Sequence, residues 1–143
     1  MNELQVINNQ EIEDMIYEVR GKQVMLDSDL AKIYRCKNGT KSINLAVKRH
    51  INRFPERFCF RLTEDEYSNL RFQTETTNMS RTLPYAFTEQ GVAMLSAILK
   101  TDVAGSASVA IMDAFVAMKK YISSNLIEQR IINNMEQKKL IKL

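Results

Sequence analysis

The chain of 143 residues is 45% hydrophobic and carries a formal net charge of +3. This length supports one compact core and is too short for two ordinary domains. The sequence lacks the run of about eighteen apolar residues that a membrane-spanning helix requires. Its first 14 residues are acidic, whereas a signal peptide would be basic and then apolar. We therefore expect a soluble, intracellular protein that does not act in a membrane.

The residue types that usually carry catalysis or bind metals are few and scattered. Cys36 and Cys59 have no second Cys or His at metal-ligand spacing, so neither a disulfide framework nor a zinc site is indicated. His50 is the only histidine, and no second titratable group or nucleophile can be placed beside it. The four glycines stand singly and form no phosphate-binding loop. We expect no enzyme activity, no metal and no cofactor.

The first elements predicted are a β-hairpin and a short helix. Residues 15–20 and 23–26 are β-prone runs on either side of a Gly-containing turn. Asp27 or Ser28 is placed to cap a helix, which must stop near residues 37–39 because Asn and Gly favour turns. The side chains that share the apolar face of this helix are Leu30, Ile33 and Tyr34.

A second helix, rich in basic residues, is predicted from about Thr40 until Pro55 disfavours helix at Phe54. A helix, a short turn and a second basic helix form the helix-turn-helix arrangement. Helical periodicity turns one stripe toward the core, comprising Ile43, Ala46, Val47, His50, Ile51 and Phe54. The opposite face then holds Lys41, Asn44, Leu45, Lys48, Arg49 and Asn52, with Arg53 near its edge.

The remaining sequence alternates short strands and helices, which predicts an α+β fold with a long C-terminal helix. Strands are predicted at residues 58–62 and 84–87, and a loop at residues 73–82. Helices are predicted from a capping box at residues 63–66 to about Arg71, after an N-cap at Thr88, and from near Val103.

These elements define one domain over residues 1–122, with its core at 15–122, and a helical extension at 123–143. The apolar residues of the extension are separated by Asn and Gln, and the segment has no core of its own. Apolar residues on a projecting helix usually need a partner surface. We expect the extension to form a homodimer; the alternatives are that it packs on its own domain or is disordered.

Charge is distributed unevenly along the chain. Residues 1–26 and residues 62–89 each carry two basic and five acidic side chains, a net of −3. Residues 27–61 carry nine basic and three acidic side chains, a net of +6. Such a local excess is typical of polyanion binding, although a basic helix face can also simply be solvated. No acidic residue lies between Lys41 and Arg53, which favours binding.

The side chains of the basic helix favour double-stranded DNA as the ligand. Lys and Arg neutralise phosphates, while Asn and Arg also make paired hydrogen bonds to adenine and guanine in the major groove. We predict phosphate contacts from Lys41, Lys48 and Arg53. We predict base contacts from Asn44, Arg49 and Asn52. Arg71 and Arg81 bracket the polar loop and either reach the DNA backbone as a wing does or are simply solvated at the surface.

Several stretches, in the same order, resemble one family. They are residues 24–31 (VMLDSDLA), 46–49 with 53–56, Phe58 with Phe60, residues 62–63, and residues 83–95 (LPYAFTEQGVAML). Together they cover roughly residues 15–122 and resemble the ORF-six N-terminal DNA-binding domain of phages and prophages, related to the KilA-N and Bro-N domains of large DNA viruses.

The resemblance implies an α+β DNA-binding module of phage antirepressors and related regulators, working in the cytoplasm of a bacterial host in association with the nucleoid. It implies that the family's basic helix corresponds to Lys41, Asn44, Lys48 and Arg49. The chain departs from the family at residues 78–82, which hold one arginine and no glycine. Relatives commonly have a Gly- and Arg-rich turn there.

A second interpretation is a protein-interaction module. In that case the chain is an antirepressor that captures a repressor or host regulatory protein and touches DNA little, with residues 123–143 as its binding surface. DNA should shield residues 41–53 from solvent, whereas a protein partner should shield the C-terminal helix.

Overall fold

The computed structural model describes residues 9–74 and 82–141 and has an α+β fold, as the sequence predicts. The helices are α1 (Asn9–Asp14), α2 (Asp27–Ile33), α3 (Thr40–Arg49), α4 (Glu64–Thr74), α5 (Glu89–Ile98) and α6 (Ala104–Ile141), with a 3-10 turn at Ile51–Arg53. The strands are β1 (Tyr17–Val19), β2 (Lys22–Leu26), β3 (Cys59–Arg61) and β4 (Tyr85–Thr88). Helix α1 was not predicted. Among the described helices, none is long and apolar enough to cross a bilayer.

The four strands form one antiparallel sheet in the order β1-β2-β4-β3. The predicted hairpin is confirmed, and its turn places Arg20 and Gly21 at φ values of 55° and 71°. Positive φ at both positions matches the twist of a two-residue hairpin turn. Strand β4 lies in the middle of the sheet, where Phe87 pairs with Met25 on one side and with Cys59 on the other.

Neighbouring residues of a strand point to opposite sides of the sheet. Both faces are apolar because consecutive strand residues, such as Val24, Met25 and Leu26, are apolar and buried. One face and the helices α2, α3, α5 and α6 enclose the main core, which includes Met25, Ile43, Phe87, Leu95 and Phe115. The other face and α4 enclose a smaller core, which includes Val24, Leu26, Phe60, Leu62 and Leu70. Helix α3 therefore lies on the main-core side of the sheet, where it also contacts α2 and α5.

The predicted cap of α2 is wrong, because the capping position belongs to Leu26 and no side chain caps the helix. Asp27 is instead the first helical residue and is buried. Its carboxylate accepts the N–H of Ser28 at 2.8 Å and the N–H of Tyr85 at 3.1 Å. The side chain of Asp27 is thus used to tie α2 to strand β4.

The basic helix ends earlier than predicted, at Arg49 rather than near Phe54. Nδ1 of His50 lies 3.0 Å from the carbonyl oxygen of Ala46, the acceptor that the His50 N–H would use in a continuing α-helix. The His50 N–H bonds to Val47 instead, and the chain continues as the 3-10 turn. Ile51, expected in the core, is consequently 62% exposed, and His50 is only half-buried.

The capping box at the start of α4 is confirmed. The Thr63 N–H donates to Glu66 at 2.9 Å, and the Glu66 N–H donates to the Thr63 hydroxyl at 3.2 Å. Glu66 also accepts from Arg20 at 2.7 Å, which joins the hairpin turn to this helix. The helix runs past Arg71 to Thr74, and the rest of the predicted loop, residues 75–81, lies outside the described residues.

We expect Glu66→Gln to lower the free energy of unfolding by about 1 kcal/mol at neutral pH. The hydrogen bond from Arg20, followed by that from the Thr63 N–H, lowers the pKa of Glu66 to about 2. Because the pKa of Glu66 is lower in the folded chain than in the unfolded chain, its ionised carboxylate stabilises the fold at pH values above the unfolded-state pKa. This contribution is lost as the pH falls toward 2. Urea unfolding at pH 7 and at pH 2.5 should show the difference shrinking in acid, while Glu64→Gln on the same turn has little effect. A pH-independent difference would contradict this role.

The predicted N-cap of α5 is confirmed, because the Thr88 hydroxyl accepts the Gly91 N–H at 3.2 Å. The same hydroxyl donates to the carbonyl oxygen of Arg57 at 2.8 Å. Thr88 therefore fixes the start of α5 against the segment that leads from the 3-10 turn into β3.

Helix α6 runs without interruption from Ala104 to Ile141. Its first part packs on α1 and α5, with Ile111 and Phe115 in the main core. The described side chains from residue 121 to residue 136 are all exposed. They include the large apolar residues Tyr121, Ile122, Leu126, Ile127, Ile131, Ile132 and Met135.

Candidate nucleic-acid interface

The outward face of α3 carries three cationic side chains. Lys41, Lys48 and Arg49 stand at positions i, i+7 and i+8 and are exposed, which puts them on one side of the helix. The side chains on the opposite side are Ile43, Ala46 and Val47, all buried. The hydrophobic contacts of α3 with the core therefore fix which side its cations face.

These three cations are unpaired within the described part of the chain. Lys41, Lys48 and Arg49 form no ion pair or hydrogen bond with a described residue. Two arginines of residues 27–61 are engaged elsewhere: the Arg57 guanidinium lies 5.2 Å from the ring centroid of Phe58, and the Arg61 guanidinium lies 4.4 Å from that of Tyr85. The charge excess of residues 27–61 is thus divided between arginines that stack on aromatic rings and an α3 face whose three cations have no partner among the described residues.

The N-terminus of α3 opens on a groove of about 740 Å³. Gly39 precedes the helix at a φ of 60°, and no side chain caps the first turn. Uncapped N–H groups and the helix dipole together favour an anion at this end. Lys37 and Lys41 line the same groove, so side-chain charge and helix charge add at this point.

Asn44 lies apart from the exposed cations. It is half-buried, and its side chain hydrogen-bonds to the buried carboxylate of Asp27. Burial raises the pKa of Asp27, while the hydrogen bonds from Tyr85, Ser28 and Asn44 act in the opposite direction. The Asn44 Oδ1 atom is buried and has no partner among the described groups. Asn44 therefore connects α3 to α2 and to strand β4, which contradicts its predicted place on the outer face.

We expect Asn44→Ala to lower the free energy of unfolding by about 1–2 kcal/mol, because Asp27 loses one of the donors that compensate its burial. Asn52→Ala is the matched control, since Asn52 is exposed and its loss should change stability by less than about 0.5 kcal/mol. Urea unfolding of both variants measures the difference. Equal stabilities would mean that the Asn44–Asp27 contact contributes nothing to the fold.

Asn52 and Arg53 belong to the 3-10 turn rather than to α3, and both are exposed. Their directions therefore follow the 3-10 turn and not the α-helical projection used to predict them. Arg71 and Arg81 are the two predicted wing contacts. Arg81 and the side chain of Arg71 lie outside the described part of the chain.

Leu45 has no role predicted from the sequence, although helical periodicity places it on the outer face of α3. Leu45 is 44% exposed and lies between Lys41 and Lys48 on α3. A leucine surrounded by unpaired cations is the pattern that could have drawn attention to it. The exposure of Ile51 is not predicted from the sequence, because the predicted helix continues through His50 and turns Ile51 toward the core.

A protein-family model, the ORF6N domain, matches residues 14–98. The chain belongs to the ORF6N domain family. No curated protein and no solved structure matches the chain. The family is of phage-type regulatory character, in agreement with the resemblance seen in the sequence. The matched ORF6N segment contains the sheet and α2 to α5, including the whole basic face of α3, whereas α6 follows it.

Proposed function

We propose that this ORF6N domain is a sequence-selective, double-stranded DNA-binding regulator of the phage or prophage antirepressor type, with α3 in the major groove. The observation that carries the proposal is the basic face of α3, where Lys41, Lys48 and Arg49 are exposed and unpaired with any described residue. A free cationic face without an acidic neighbour on its helix suits the dense negative charge of DNA. We propose no catalytic step and no cofactor.

The proposed contacts follow the position of each side chain. Lys41 lies beside the uncapped N-terminus of α3 and contacts a phosphate, as the helix dipole favours. Lys48, about two helical turns further along α3, contacts a second phosphate. Arg49 reads a guanine edge, for which its paired donors are suited. Asn52 and Arg53 extend the contact from the 3-10 turn, and Asn44 supports the helix instead of reading bases.

Helices α2 and α3 fit the helix-turn-helix layout that this proposal requires. They contact each other and are joined by residues 34–39. In such motifs the second helix enters the major groove and the first supports it. Here α2 holds α3 through the Asp27–Asn44 hydrogen bond, and the core residues Ile33 and Ile43 pack beneath both helices.

Fluorescence anisotropy with a labelled random-sequence duplex across a salt series tests this proposal. We expect affinity to fall as salt rises, with a slope of the logarithmic plot of about −0.9 for each phosphate contact. Binding that is absent at the lowest salt concentration would reject DNA as the ligand of this chain.

A homodimer through α6 is the second part of the proposal. The exposed residues Ile127, Ile131 and Met135 stand at i, i+4 and i+8, so they form one stripe on the distal helix. Two copies joined there would present two α3 helices to one duplex, as paired half-sites require. Sedimentation velocity should give a dimer for the native chain and a monomer for Ile127→Lys with Ile131→Lys. The control is Val109→Lys, at an exposed residue nearer the domain, which should remain a dimer. A native chain that sediments as a monomer would contradict the proposed homodimer.

The same exposed helix favours one alternative, the capture of a repressor or host regulatory protein. Hydrogen exchange in the presence of DNA distinguishes the two. Protection of residues 41–53 supports DNA binding, whereas failure of DNA to protect them, together with protection of distal α6 by a regulatory protein, supports the alternative.

A further inference from the structure

We propose that Leu45 reads the 5-methyl group of thymine, so that the DNA site of this domain holds a thymine beneath the middle of α3. This inference rests on the proposed DNA-binding function and adds a base preference to it. It depends on the exposure of one aliphatic side chain and on the charges around that side chain.

Leu45 lies at the centre of the basic face. It follows Lys41 by four residues and precedes Lys48 by three and Arg49 by four. Residues at these spacings are neighbours on a helix surface, so the leucine is bordered by cations on both sides along the axis. It also lines the groove at the N-terminus of α3, together with Lys41.

Exposure of a large aliphatic residue is unusual in this domain. Of the described residues outside α6, the only exposed large hydrophobic side chains are Leu45 at 44% and Ile51 at 62%. Ile51 belongs to the 3-10 turn, whereas Leu45 projects from the helix that carries the cations. Removing the Leu45 side chain from water is favourable, and the gain is largest against an apolar group of the ligand, because a polar group would lose its own hydration in the contact.

The charges around Leu45 decide which ligand that is. A ligand must carry anionic groups for Lys41 and Lys48 and an apolar group between them. In the major groove of DNA, phosphates line both edges, and thymine presents its methyl group on the floor. Aliphatic side chains recognise thymine through this methyl group. Duplex DNA with a thymine at this place supplies both features.

The experiment uses duplexes that the native chain selects from a random library. Each thymine of a selected duplex is replaced in turn by deoxyuridine, which keeps the base pairing and lacks only the methyl group. At one position in each half-site, we expect deoxyuridine to weaken binding by about fourfold, the loss that corresponds to one buried methyl group.

Variants of Leu45 assign this effect to its side chain. Leu45→Met keeps an apolar contact and should retain the preference for thymine over deoxyuridine. Leu45→Ala should bind both duplexes equally, with an unchanged salt slope, and should stay folded because alanine favours helix. Val116→Ala, at a residue of α6 that is also 44% exposed, should behave like the native chain.

Two results overturn the inference while leaving the proposed function intact. In the first, the native chain binds its selected duplexes with a salt dependence and no deoxyuridine substitution changes the affinity. In the second, Leu45→Ala keeps the native preference for thymine. If no duplex is selected and no salt-dependent binding occurs, the proposed function itself fails, and this inference fails with it.

Discussion

A chain with Lys48→Ala and Arg49→Ala should bind a random-sequence duplex roughly tenfold more weakly than the native chain at moderate salt, because two unpaired cations leave the contact face. The slope of log affinity against log salt should become shallower by about one to two units. Both residues are exposed and make no contact that the fold uses among the described residues, so thermal unfolding should be unchanged.

The matched control for this variant is Lys100→Ala with Lys120→Ala. Both lysines are exposed and lie outside α3, and their loss lowers the net charge by the same two units, from +3 to +1. If the control weakens binding as much as the α3 variant, the chain attracts DNA by its net charge and α3 is not the contact face.

Gly91→Ala should destabilise the fold by about 3 kcal/mol or more, a large part of the 5–15 kcal/mol that holds a typical domain together. A Cβ atom at Gly91 would overlap the carbonyl oxygen of Phe58 and lie 2.8 Å from its carbonyl carbon. Neither atom can move freely, because that oxygen accepts the Thr88 N–H at 3.0 Å. The clash outweighs the helix propensity that alanine adds, which is about 1 kcal/mol.

Gly105→Ala is the control for this prediction, since a Cβ atom there meets nothing within 4 Å. Alanine at Gly105 should leave stability unchanged or raise it, because the residue lies in α6. Urea unfolding of the two variants measures the contrast. A Gly91→Ala chain as stable as the native one would show that the Phe58 segment shifts at little cost.

The features that the sequence predicted well are those decided by neighbouring residues. The capping box of Thr63 and Glu66 and the cap of Thr88 on Gly91 each join groups three residues apart. The hairpin is set by its turn and by the alternation of its strands. Such interactions can be inferred from local chemistry, without knowledge of the tertiary fold.

The features that the sequence predicted poorly depend on contacts across the fold or on competition for one atom. Helix α3 ends early because the His50 ring occupies the Ala46 carbonyl, which periodicity does not reveal. Asn44 turns toward Asp27, a carboxylate buried by the packing of α2 against β4. The residues Lys41, Lys48 and Arg49 were placed correctly on the exposed face because the apolar stripe beneath them is regular. Their role as DNA contacts stays a prediction.

Lysine reactivity in the presence of DNA tests the central claim most directly. The native chain is saturated with a short duplex and treated with an acetylating reagent, and the modified lysines are located by mass spectrometry. We expect Lys41 and Lys48 to be protected by the duplex while Lys100 and Lys120 remain reactive. If Lys41 and Lys48 stay as reactive in the saturated complex as in the free chain, α3 does not face the DNA, and the proposed placement of α3 in the major groove is wrong.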